Sequence, residues 1–255
     1  MSSLESLLRH DRALVIGALT VVVLMAWAYM LAGAGMRMDS GAMSMPMAWG
    51  PGYALLVFLM WWIMMVAMML PSASPVILLF ASVNRKLNQA GKPFVPAGFF
   101  LAGYLLVWGV FSLVATAAQW SLEASGALSM LHGSRNLVLS GAILVAAGLW
   151  QFTPLKHSCL RHCRSPLHFF VHGFQPGVAG AIRMGIGHGL FCLGCCWFLM
   201  ALLFFGGVMN LYWIAGLALY VLIEKAVPAG HLVSRATGAV LLVWGAWLLI
   251  AASWQ

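Results

Sequence analysis

Gly187-His188-Gly189-Leu190-Phe191-Cys192-Leu193-Gly194-Cys195-Cys196-Trp197 lies in a long apolar run, and it carries three of the chain's five cysteines and one of its eight histidines. The run, over residues 186–208, is apolar and long enough to cross a bilayer as a helix. At ~100° per residue, His188, Cys192, Cys195 and Cys196 fall within roughly 100° of one helix face and span about 12 Å. Three thiols and an imidazole on one stripe of an otherwise apolar segment point to a soft-metal site. The competing reading treats them as small buried hydrophobes. Their repetition on one face favours metal or redox chemistry.

Of 255 residues, 63% are hydrophobic and 7% charged, whereas ~25% charged is usual in a soluble globule. The composition and the repeated apolar runs predict an all-α, polytopic helical membrane protein: a single transmembrane domain over residues 1–255. The expected spans, about seven transmembrane helices, are 13–33, 53–80, 97–120, 136–152, 186–208, 211–226 and 237–252. The first has no small-residue cleavage site and reads as a span rather than a signal peptide. Arg9, Arg12, Arg85, Lys86, Lys92, Lys156, Arg161, Arg164, Arg183, Lys225 and Arg235 lie on one side of this arrangement; only Arg37 and Arg135 lie on the other. The positive-inside rule then places the N-terminus inside and the C-terminus outside. All the cysteines face the reducing side or the inner part of the membrane, so their odd number needs no disulfide.

Two methionine-rich stretches precede the cysteines. In the 34–52 outer loop, Met36, Met38, Met43, Met45 and Met47 lie close together, with Gly41 and Pro46 opposing a helix. Thioethers need no deprotonation to bind and prefer Cu(I). Within the second span, Met60, Met64 and Met68 form one stripe, with Met65 and Met69 on its neighbour. Pro71 and Pro75 each remove a backbone donor there and are expected to kink the helix. Methionine is also a common gap-filler in helix packing.

The 153–185 loop, expected to be cytoplasmic, holds Lys156-His157-Ser158-Cys159-Leu160-Arg161-His162-Cys163-Arg164, followed by His168 and His172. Cys159 and Cys163 are four apart and share a face on a short helix, and the flanking cations favour thiolate ligands. The spacing is not that of a zinc finger. Gly180, Gly185, Gly187 and Gly189 let another helix approach the start of span five closely. Glu224 is a candidate for orienting a ligand or carrying protons; adjacent Glu224 and Lys225 do not face each other on a helix.

Residues 159–166 together with Gly187–Trp197 resemble a bacterial domain-of-unknown-function family of predicted metal-binding integral membrane proteins. The run Met60–Pro71, Val208-Met209-Asn210 and Glu224-Lys225 are similar to it as well. The resemblance covers most of the chain from span two to span six. It implies a multi-pass protein of the bacterial inner membrane, with Cys159, Cys163, His188, Cys192, Cys195 and Cys196 as candidate metal ligands. The Met-rich outer loop is not part of that pattern.

The leading expectation is a protein that handles a soft transition metal, Cu(I), in transport, delivery or homeostasis. Met60, Met64 and Met68 would supply thioethers and the cysteines thiolates. Zinc or iron are the alternative metals. A membrane oxidoreductase or thiol-redox protein is a second class, since vicinal cysteines suit dithiol cycling. A zinc-stapled scaffold subunit of a membrane complex is a third. The expected partners are the lipid bilayer and a metal chaperone or membrane-complex subunit. The basic residues sit in short loops between spans, so nucleic acid is not expected. Five acidic residues in all, with no nucleotide loop or nucleophile motif, argue against hydrolytic chemistry.

Overall fold

A computed structural model describes residues 3–34, 49–89, 95–129, 133–134, 136–164 and 175–254, leaving aside the side chains of residues 3–12 and 89. The Met36–Met47 stretch, His132, His168 and His172 lie outside the described residues. The described helices are α1 (Ser3–Leu31), α2 (Pro51–Gln89), α3 (Ala97–Ala124), α4 (Leu137–Gln151), α5 (Pro154–Arg164), α6 (Gly177–Gly206), α7 (Leu211–Ala226) and α8 (Gly230–Ala252). A short antiparallel hairpin, β1 (Leu128–Ser129) with β2 (Gly133–Ser134), pairs Leu128 with Ser134.

Helix α6 is the centre of the bundle, packing against α3, α4, α5 and α7, while α4 pairs with α8 and α2 lies against α1, α3 and α7. Glycines set the close approaches. A Cβ at Gly185 would fall on the Phe100 carbonyl oxygen, and one at Gly103 on that of Ile182, so α3 and α6 touch backbone to backbone. This is the close approach expected at the start of span five, and α3 is the helix that makes it. Gly141 meets Gly245, and Gly148 meets Gly238, across the α4–α8 crossing. Without hydrophobic drive between helices in lipid, such close packing holds a bundle together.

Local sequence explains the interruptions. Helix α2 continues through Pro71 and Pro75. Pro75 cannot donate to the Pro71 carbonyl, and the Ser74 hydroxyl donates to that oxygen instead at 2.8 Å. Between α4 and α5 the axis turns by 65°. Pro154 fits the first helical position, while the Thr153 hydroxyl accepts from the Lys156 N–H at 3.3 Å. After α6, Gly207 takes a positive φ of 95°. Asn210 then serves both ends: its amide donates to the Gly206 carbonyl at 3.0 Å and its oxygen accepts from the Trp213 N–H at 3.3 Å.

Among the described residues, five helices are long and apolar enough to cross a membrane (α1, α2, α3, α6 and α8), or six if the bent α4–α5 pair is one span. Helix α7, with 16 residues, would reach about 24 Å against a hydrocarbon core of about 30 Å. Several helices run longer than their expected spans. Helix α2 reaches Gln89, and α6 starts at Gly177 rather than near residue 186, because polar residues at an interface do not by themselves stop a helix. The outer surface is itself apolar: on α3, Leu106, Val110, Leu113 and Val114 stand exposed along one stripe. Such a face suits lipid rather than water.

Candidate metal centre

The α6 stripe turns inward as its spacing requires. Cys192, Cys195 and Cys196 are fully buried and His188 nearly so. The Cys195 and Cys196 thiols both donate back to the Cys192 carbonyl, at 3.1 and 2.9 Å. The His188 ring lies against those of Tyr104 (centroids 5.8 Å apart) and Phe100 (6.1 Å), within electrostatic reach of Cys192 and Cys195.

Four other helices bring sulfur, hydroxyl and charge to the same place. From α5, the Cys163 side chain is buried close to Cys192 and Cys195. From α2, the Met69 thioether lies 3.9 Å from the Cys196 sulfur. From α3, the Tyr104 hydroxyl is 3.2 Å from the Cys192 sulfur. From α7, the Lys225 ammonium donates to the Cys192 sulfur at 3.0 Å and to the Ser72 hydroxyl at 3.1 Å. All five cysteines are free thiols.

This arrangement gathers Cys163, Cys192, Cys195 and Cys196. Cys159 sits one turn away on the same face of α5, so close to α6 that a Cβ at Gly194 would lie 2.8 Å from its sulfur. Met60, Met64 and Met68 are buried in the core of the bundle, but it is Met69 that touches the thiols. Met69, Tyr104, Ser72 and Lys225 are not among the ligands expected from the sequence. Met69 stands beside the Met60–Met68 stripe just before Pro71 and Lys225 in the Glu224-Lys225 pair of the family resemblance, whereas Tyr104 and Ser72 carry no such signal. Among the described residues, no group of three or more His, Cys, Asp or Glu is set to hold a metal ion. The sulfurs that do approach one another, the Cys196 thiol and the Met69 thioether, are soft donors of the kind Cu(I) prefers.

The floor of the site is an ion pair. Lys156 of α5 and Glu224 of α7 meet at 2.7 Å with neither side chain exposed. The Tyr220 hydroxyl donates to the same carboxylate oxygen at 3.3 Å. So Glu224 does not pair with its neighbour Lys225. The first holds α5 down, and the second faces the sulfur.

A family of proteins described as copper chaperones, PpoB2, matches residues 58–248. The chain belongs to this family. No curated protein and no solved structure matches it. The PpoB2 match runs from within α2 through most of α8 and takes in every side chain of the sulfur cluster. Met36–Met47 lies outside it. The family's description names copper, a metal whose monovalent ion suits soft sulfur donors.

Proposed function

We propose that this PpoB2-family protein is an integral membrane protein that binds Cu(I) at Cys163, Cys192, Cys195 and Cys196, with Met69 as a thioether donor and His188 bordering the site. The observation that carries this reading is the approach of the Met69 and Cys196 sulfurs, on α2 and α6, beside the Lys225 ammonium at Cys192, with the α5 thiols buried alongside. Two thiolates on one Cu(I) leave a net negative charge. Burying that charge is costly without a counter-charge, and Lys225 supplies one at hydrogen-bond distance.

The ion is cargo rather than a resident catalytic metal. Met60, Met64 and Met68 extend the thioethers along α2, and weak multi-site binding is what a conducting path needs. Cys159 is the next thiol on the cytoplasmic side, where a metal chaperone would exchange copper. The membrane is the bacterial inner membrane, with the N-terminus inside. α7 counts as a short seventh span and the C-terminus lies outside, as the distribution of Lys and Arg supports.

The test is metal content by mass spectrometry after anaerobic purification in detergent. Copper in the wild type that is lost in a Cys192→Ser/Cys195→Ser/Cys196→Ser variant supports the reading. Zinc at one per chain, iron with visible colour, or unchanged copper in the variant overturns it.

A further inference from the structure

Away from the sulfur cluster, on the opposite side of α5, a cavity of about 270 Å³ is lined by His157, Leu160, Arg161, Arg164 and His231. Its walls come from α5 and the start of α8, and among the described residues no carboxylate lines it. The nearby Glu224 is committed to Lys156. Arg164 fixes the geometry, donating through one nitrogen to the Val227 and Pro228 carbonyls, both at 2.6 Å, and so clamping α5 to the α7–α8 turn. Arg161 and His231 stand exposed, and Arg235 follows His231 by one turn on α8. Two arginines and two histidines thus line the cavity with no carboxylate among the described residues to offset them.

The flanks of this basic pocket are apolar and partly exposed. Phe152 (44% exposed) and Leu155 (58%) precede His157 in sequence, while Val227 (37%) and Leu232 (55%) lie beside Arg164's carbonyls and His231. A soluble anion needs only the cations. A phospholipid needs both the cations for its phosphate and an apolar surface for its chains, and this corner has both.

The geometry points to a binding site for the phosphate of an anionic phospholipid, held by Arg161, His231 and His157 between α5 and α8 with its chains over Leu155 and Leu232. Basic pockets between helices on the cytoplasmic side are where such headgroups bind. A lipid seated there would brace α5 from the side opposite its cysteines. The inference rests on the membrane reading but not on copper, and its test reads lipid alone, so either can fail without the other.

The test uses the full chain, purified in detergent and delipidated, with thermal unfolding followed on adding phosphatidylglycerol, phosphatidylcholine or inorganic phosphate. The comparison variant is Arg161→Gln/His231→Gln, whose exposed side chains are not needed for folding. Phosphatidylglycerol is expected to raise the wild-type midpoint by about 5 °C, phosphatidylcholine and phosphate to have little effect, and the variant to lose the rise. Native mass spectrometry should show phosphatidylglycerol retained by the wild type and lost from the variant. An equal rise in the variant, an equal rise with phosphatidylcholine, or an equal rise with phosphate (a soluble-anion site) overturns the proposal, as does equal lipid retention.

Discussion

Replacing Lys156 with Met removes one half of a fully buried ion pair and leaves Glu224 charged among apolar neighbours. Lys156 and Glu224 meet at 2.7 Å with neither side chain exposed, and the second carboxylate oxygen, Oε2, has no hydrogen-bond partner. The Tyr220 hydroxyl, at 3.3 Å, is the other donor to the paired oxygen. Breaking such a pair from one side costs about 3–5 kcal/mol, whereas replacing both partners with apolar residues is often neutral or stabilising. For a chain of this size that cost lowers the midpoint by about 6–20 °C. The assay is thermal unfolding in detergent of the wild type, Lys156→Met, Glu224→Leu and the double variant. Each single variant should fall by this amount and the double should recover most of it. Because Lys156 anchors the helix that carries Cys163, copper retention should follow the same order. A single variant within about 2 °C of wild type, or a double variant no better than the singles, would refute the reasoning, because the pair would then be neither dry nor coupled.

Lys225→Met removes the ammonium 3.0 Å from the Cys192 sulfur and should weaken Cu(I) binding at least about tenfold, the equivalent of about 1.4 kcal/mol. Lys225→Arg should retain more affinity than Met, and competition against a Cu(I) chromophore reads both. Met69→Leu should lower Cu(I) affinity in the same competition more than Met68→Leu does, since the Met69 thioether lies 3.9 Å from the Cys196 sulfur. Gly185→Ala, which sets a methyl group on the Phe100 carbonyl oxygen, should cost about 1–3 kcal/mol by overpacking, seen as a lower unfolding midpoint with α3 and α6 forced apart.

How much of this was legible depends on the distance over which each feature is decided. The inward stripe of Cys192, Cys195 and Cys196 follows from helical periodicity alone, and the shared face of Cys159 and Cys163 follows from their spacing. Gly185 was legible as a close approach because a missing side chain at a helix surface has few other uses in a bundle. The choice of Met69 over Met68 was not. Both lie on α2 next to Pro71, and which of two adjacent side chains meets Cys196 is set by the rotation of α2 against α6. Lys225 and Cys192 are 33 positions apart, and Lys156 and Glu224 likewise meet only through tertiary packing. No local pattern joins them. The turn at residues 152–154 was legible as the end of a span, but not as the pivot that lays α5 across the thiols.

The most direct test of the copper reading is X-ray absorption at the copper edge on anaerobically purified, Cu(I)-loaded protein. A Cu(I) edge with sulfur as the nearest scatterer, converted to a nitrogen or oxygen shell or to no bound copper by Cys192→Ser/Cys195→Ser/Cys196→Ser, is the predicted result. Copper bound through nitrogen and oxygen in the wild type, or a sulfur shell unchanged in the variant, would contradict it.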